Sequence, residues 1–104
     1  MEKTDQVEIA VVGVHVLDTH VIGITSIPEG SQGQLVETIR FSPAGTAGGT
    51  GVVLSRLGAK VRSFGAVGAN AMGDTLLAML RREAVDVGGL DLPGLDSPAT
   101  PAKP

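Results

Sequence analysis

Hydrophobic positions along this chain fall into short blocks whose spacing changes from block to block. Val7 to Val14 (VEIAVVGV) is a β-branched run ending near Gly13, the pattern of a strand buried on both faces of a parallel sheet. His20–Thr25 and Gln34–Phe41 are also rich in β-formers. Leu35, Ile39 and Phe41 alternate imperfectly with polar positions such as Glu37, so a half-exposed strand is expected there. Between them, SIPEGSQGQ carries Pro28, Gly30 and Gly33 and reads as a loop. From Ala47 to Leu57 the period is helical, with Val53, Leu54 and Leu57 on one face and Gly58 as a C-terminal stop. Lys60–Val67 (KVRSFGAV) predicts a second buried strand. Met72–Ala84 is the clearest helix: Met72, Leu76, Leu77 and Leu80 form a stripe, Asp74 lies near its start, and Arg81 and Arg82 near its end match the helix dipole.

Strand, two-strand excursion, helix, strand, helix is an α/β order that calls for a right-handed crossover. The polar MEKTDQ of residues 1–6 is expected to be disordered, residues 7–91 to form one unit, and about 19–42 to form a β-flap. After Asp86 the periodicity stops. Four of the six prolines fall from residue 92 onward, so 92–104 reads as a disordered Pro-rich tail. A sheet this short leaves an unpaired edge, which tends to find a partner.

Composition narrows the chemistry. At 104 residues the chain is one small domain, and 42% hydrophobic against 18% charged residues makes its bulk globular. With two Phe, no Tyr and no Trp, the core is aliphatic and no stacking platform for single-stranded nucleic acid exists. A formal charge of −3 with scattered Lys and Arg speaks against nucleic-acid binding. The absence of cysteine excludes disulfides, thiolate catalysis and sulfur-ligated metal. The apolar run Ile9–Val14 is far too short to span a membrane, so no membrane partner and a cytoplasmic location are expected. His15 and His20, five residues apart on extended chain, point to opposite faces and make no metal pair. Arg81 and Arg82 read as a solvated helix end, and Met72 and Met79 as packing residues.

The stretch SPAGTAGGTGVVLSRLG, Ser42 to Gly58, holds five glycines and runs straight into the first helix. A Walker A loop needs a Lys after its last glycine, and Gly51 is followed by Val52. The dinucleotide fingerprint G-x-G-x-x-G fails as well, because Val-Val-Leu follows Gly51. Either the glycines let the helix pack tightly on the sheet, or their backbone approaches a ligand at a helix start with free N–H groups. Asp18 lies five residues past Gly13 and is expected to project from the carboxyl end of the first strand, where ligands sit in open α/β sheets. GAVGANAMGD, Gly65 to Asp74, adds a second glycine-rich turn on the same edge, and the excursion from Asp18 to Pro43 is long enough to cover it.

Taken together, Gly13-Val-His-Val-Leu-Asp18, Pro43-Ala-Gly-Thr-Ala-Gly-Gly, Leu57-Gly-Ala, Val67-Gly-Ala-Asn-Ala-Met-Gly73 and Val85-Asp86 resemble the N-terminal portion of a ribokinase-like (PfkB) carbohydrate kinase. The resemblance runs from about Val7 to Leu90 and draws its specificity from five elements in order. It implies a partial ribokinase-like, Rossmann-like layered α/β fold with a β-flap or lid and a truncated sheet. Full-length members transfer the γ-phosphate of ATP, with Mg²⁺, to a hydroxymethyl group of a sugar or nucleoside. Their N-terminal half supplies most of the sugar pocket and a lid that in many members forms a homodimer contact.

The resemblance implies substrate-binding roles for Asp18, Gly45, Thr46, Gly48, Gly49 and Asn70, with no catalytic and no metal-binding residue in this chain. Asp18 would accept from two sugar hydroxyls, a task for an acceptor-only carboxylate. Gly45 matches the second glycine of the family's Gly-Gly pair and Ala44 replaces the first. Gly49 stands where many members have a sugar-holding Asn, Thr46 where ribose-type members often have Lys, Val16 where those have a polar residue, and Asn70 matches the second acid of a Gly-Asp-Asp turn. These departures leave two readings open: a sugar other than ribose, or substrate handling that has been lost. The family's Asp-Thr-x-Gly-Ala-Gly-Asp turn, which carries the base and an anion hole, has no match, the nearest string being Gly73-Asp74-Thr75. The expectations are therefore a sugar-binding half without kinase activity and without bound ATP or Mg²⁺. The alternatives are a non-catalytic sugar-binding or dimerisation module and, less in keeping with the failed phosphate fingerprints, a generic nucleotide-binding fragment.

Overall fold

The computed structural model describes residues 6–90. The tail expected from residue 92 onward lies outside them, as do all but Gln6 of the first six residues; the Gln6 amide donates to the Gly58 carbonyl at 3.1 Å. In chain order the elements are β1 (Glu8–Val12), β2 (Val16–Ile22), β3 (Thr38–Ala44), α1 (Thr46–Arg56), β4 (Lys60–Phe64), α2 (Ala71–Arg82) and β5 (Asp86–Gly89). β1, β4 and β5 form a parallel sheet in the order β1-β4-β5, with Glu8 opposite Lys60 and Val12 opposite Phe64. β2 and β3 form a separate antiparallel ribbon, the flap, whose register runs from Val16↔Ala44 to Ile22↔Thr38.

The core lies between one face of the parallel sheet and the two helices. Val11, Val61, Leu76, Leu80, Val85 and Leu90 are buried there, with Ala47, Val52 and Val67 around them. Expected burial of β1 on both faces does not hold among the described residues. Both helices cover the face carrying Val11, Val61 and Ser63, and the opposite face leaves Glu8, Ala10, Val12 and Arg62 exposed. That face is laced by polar pairs instead. Lys60 Nζ lies 3.5 Å from Glu8 Oε1, Arg62 Nε lies 3.7 Å from Asp86 Oδ2, and the Arg62 guanidinium stacks 5.3 Å from the Phe64 ring centroid.

The burial of α1 is also rotated from the expected stripe. Val53 and Leu57 are 57% and 78% exposed, whereas Ala47, Gly48, Gly51 and Val52 are buried. Gly48 and Gly51 are one turn apart and carry no side chain, so the helix backbone itself lies against the sheet. A Cβ on Gly51 would stand 3.3 Å from Val11 Cγ2 and 3.5 Å from Val61 Cγ1. α2 follows its predicted stripe at Leu76 and Leu80, but Met72, expected to pack, is 43% exposed.

β5 has no counterpart in the predicted elements. Its Gly88 and Gly89 give no apolar period, yet Gly89 is needed where it stands, since a Cβ would meet Phe64 Cδ1 at 2.5 Å and Ser63 O at 2.7 Å. α2 ends in a Schellman turn: the Ala84 N–H donates to Arg81 O at 2.9 Å and the Val85 N–H to Leu80 O at 3.1 Å. Ala84 takes the left-handed conformation usual for glycine, with φ of 60°. Arg56 reaches across from α1 to Glu83 with two bonds of 2.8 and 2.6 Å, and holds that carboxyl below its usual range.

Candidate functional site

The flap is rooted on the start of α1. Val14, just before β2, directs its carbonyl at the helix, where it accepts from the Ala47 and Gly48 N–H groups at 3.0 and 3.2 Å. Free donors are expected at this helix start; the structure engages two of them within the chain, because the entry to the flap crosses directly over the first turn. Gly45, the N-cap, has φ of 88°, and a Cβ there would strike the Val14 carbonyl. Glycine is therefore required at that position by the crossing alone.

Each expected site residue can be placed. Asp18 lies inside β2, opposite Ser42, rather than on a loop at the carboxyl end of β1, because β2 begins at Val16. The flap strands sit nearer the body than expected at both ends, and Pro43 is accommodated opposite Leu17 in a ribbon of only two strands. Thr46 opens α1. Gly48 is buried against His15, where a Cβ would stand 3.6 Å from the ring, whereas Gly49 faces open space and a Cβ there would have no atom within 4 Å. Asn70 caps α2, its Oδ1 accepting from the Gly73 N–H at 2.9 Å. The structure thus brings Asp18, Gly45, Thr46, Gly48 and Gly49 to the root of the flap. Asn70 has a capping bond of its own, and no described hydrogen bond links it to that root.

His15 and His20 separate as expected from their spacing. His15 is fully buried beside Gly48 and Gly65, with Nδ1 3.0 Å from the Gly13 carbonyl. A carbonyl only accepts, so Nδ1 carries the proton and Nε2 is a bare acceptor; it and Ser63 Oγ have no partner among the described residues. Desolvation pushes the His15 pKa below the ordinary 6.5, opposed by the bond to Gly13. His20, by contrast, stands on the flap with Nε2 3.1 Å from Ser42 Oγ and 3.9 Å from Asp18 Oδ2. Arg40 is directly opposite it. His20, Arg40 and Ser42 surround Asp18, and the sequence alone marks none of them as a binding residue. The alternation 18, 20 on one strand and 40, 42 on the other is there to be read, but it acquires meaning only once the register is known.

The described residues do not fit Mg²⁺-ATP. They contain no group of three His, Cys, Asp or Glu placed to hold a metal ion. The glycine-rich helix start lacks a Lys, and two of its N–H donors are already bonded to Val14. Among the described residues no helix is long and apolar enough to cross a membrane.

A short parallel sheet with two helices on one face and an antiparallel flap inserted after β1 is the beginning of a ribokinase-like fold. Residues 8–92 match the pfkB family of carbohydrate kinases, and the chain belongs to that family. Among solved structures, a protein from Agrobacterium tumefaciens assigned as a ribokinase is 26% identical with a TM-score of 0.74, over 89% of this chain and 30% of that one. A PfkB family carbohydrate kinase from Listeria grayi is 26% identical with a TM-score of 0.58, over 85% and 26% of the two chains. A Cryptococcus neoformans ribokinase in complex with ADP shares the fold at 18% identity and a TM-score of 0.60, over 88% and 27%. This chain therefore spans about 30% of the length of the structures it resembles. No curated protein matches it in sequence.

Proposed function

We propose that this chain supplies the sugar-binding side of a PfkB-type carbohydrate kinase and does not transfer phosphate on its own. The observation that carries the reading is Asp18, half-exposed on one face of a flap rooted directly on the glycine-rich start of α1. A carboxylate there accepts from sugar hydroxyls, and Gly49 leaves room for a ring to approach the helix backbone. In the full-length family the reaction uses ATP and Mg²⁺ to phosphorylate a sugar or nucleoside hydroxymethyl group. The described residues here fit neither cofactor, so no phosphoryl-transfer step is assigned to them. Dependence on ATP elsewhere in the family is the basis for a cytoplasmic location, and nucleic acid and membrane are not partners in this reading.

The test has two arms. With ATP, Mg²⁺ and a panel of neutral sugars and nucleosides, the purified chain should release no ADP above background. Release that vanishes in Asp18→Ala would refute the inactive reading. In the binding arm, a sugar that perturbs the wild-type NMR spectrum should lose at least about tenfold in affinity in Asp18→Asn, which removes a charged acceptor.

A second reading, a dimerisation module derived from the lid, is favoured by the other face of the flap. Val21, Ile39 and Phe41 are 46%, 54% and 49% exposed there and form a continuous apolar surface across the two strands. Analytical ultracentrifugation should then give a dimer that Phe41→Asp converts to monomer. A wild-type monomer at all accessible concentrations removes this reading.

A further inference from the structure

Two consecutive rungs of the flap put four polar side chains on one face: Asp18 opposite Ser42, then His20 opposite Arg40. Directly opposed residues have Cβ atoms ~5 Å apart, and the two rungs are separated by ~7 Å along the strands. The patch is thus small and two-ended. One end holds a carboxylate, which only accepts, and a hydroxyl; the other holds a guanidinium, which only donates, and an imidazole. His20 sits between the ends, 3.1 Å from Ser42 Oγ and 3.9 Å from Asp18 Oδ2. Thr19, His20, Val21, Ile22, Arg40 and Ser42 line a shallow, open groove of about 560 Å³ that runs over the edge of the ribbon, and Asp18 stands beside it, 3.9 Å from His20.

Arg40 distinguishes this face. Arg56 is paired with Glu83 and Arg62 with Asp86, whereas Arg40, like Arg81 and Arg82 at the end of α2, has no carboxylate within 4.0 Å among the described residues; of these three, Arg40 lines the groove. The nearest acid on its own face, Asp18, is one rung away and turned toward His20. A planar guanidinium with its fork open beside a groove is suited to a carboxylate, which it holds by two parallel bonds. Hydroxyls alone would leave its charge without a counter-ion.

We propose that the ligand of this face is an anionic carbohydrate, a sugar acid whose hydroxyls go to Asp18 and Ser42 and whose carboxylate goes to Arg40 and His20. The proposal rests on the sugar-binding reading above and narrows it from sugars in general to acidic ones. Arg40 and His20 are then specificity-determining residues. Arg40 selects by charge one rung away from Asp18, which repels a carboxylate placed at its own end, and His20 contributes a ring nitrogen between the two.

The test is an NMR titration of the full chain with D-gluconate and with sorbitol, which share a carbon chain and differ in carboxylate against hydroxymethyl. Inorganic phosphate serves as the bare anion. Gluconate should half-saturate the shifts of Asp18, His20 and Arg40 at a concentration at least about tenfold below sorbitol, the factor expected of a charge-assisted bond. Arg40→Gln should erase that gap, and Asp18→Asn should weaken both polyols. Equal affinity for gluconate and sorbitol overturns the preference for acids and leaves sugar binding standing. Phosphate that displaces gluconate at comparable concentration, with sorbitol silent, overturns it by showing an anion site indifferent to sugar. Absence of shifts with either polyol overturns both this proposal and the sugar-binding reading.

Discussion

The glycines of α1 are not equivalent, and substituting them one at a time separates packing from ligand approach. Gly49 has no atom within 4 Å of an added Cβ, so Gly49→Ala meets nothing and gains the helix propensity that glycine lacks. The expected stabilisation is about 0.5–1 kcal/mol, or a rise in Tm of about 2–8 °C for a domain of this size. Gly51→Ala gains the same propensity but places its methyl 3.3 Å from Val11 Cγ2, 3.5 Å from Val61 Cγ1 and 3.6 Å from Ser63 Oγ. Val11 and Val61 are β-branched and held in paired strands, so they yield little, and gain and strain should cancel to within about 0.5 kcal/mol. Gly51→Leu must push the helix off the sheet and should lose about 3 kcal/mol. Thermal and urea unfolding followed by far-UV circular dichroism give all three values. A lower Tm in Gly49→Ala, or a Gly51→Leu as stable as wild type, would refute the assignment of packing to Gly51 and open space to Gly49. Where a sugar ligand is in hand, Gly49→Ala should also bind it more weakly while being more stable, an opposition that a purely structural glycine cannot produce.

Further predictions concern stability. Gly45→Ala combines a left-handed φ of 88° with a collision against the Val14 carbonyl, so it should destabilise by about 2–3 kcal/mol or fail to fold, as urea midpoints will show. Ala84→Gly relieves a φ of 60° at the α2 Schellman turn and should raise stability by about 1 kcal/mol, whereas an unchanged midpoint would mean the turn tolerates alanine without strain. His15 makes stability depend on pH. Its folded pKa is lowered, so the unfolded chain binds the extra proton first: stability is level above about pH 6.5 and falls as pH drops below it. His15→Asn keeps an N–H near the Gly13 carbonyl and lacks the titration, so its urea midpoint should fall less steeply between pH 7 and 5.5; equal slopes would contradict the argument.

Much of the fold is legible in the residues because side chains announce it. The β-branched runs at β1 and β4 and the leucine stripe of α2 lie where periodicity places them. Some departures concern which face is covered, as with the open face of β1 and the exposed Met72, and others fall where glycine replaces side chains. β5 escapes notice because Gly88 and Gly89 present no apolar period, and the buried face of α1 is misplaced because Gly48 and Gly51 pack through backbone, leaving Val53 and Leu57 to advertise the exposed side. For the site, spacing points to Asp18 and the Gly45–Gly49 turn. The pairing of Asp18 with Ser42 and of His20 with Arg40 needs the strand register, which depends on the whole ribbon and on where its root is fixed.

That root has a mechanical consequence. The chain enters the flap immediately after Val14 and leaves it at Ala44, and the Val14 carbonyl is tied to two N–H groups of α1. Swinging the ribbon as a rigid door would strip both bonds and leave the helix's first turn unsatisfied. The tie acts at one end of the ribbon, and Ile22 opposite Thr38 stands at the other, joined to the body by neither of these bonds. A lever held in this way carries Asp18 on its short arm, two residues into β2, and His20 and Arg40 one rung further out.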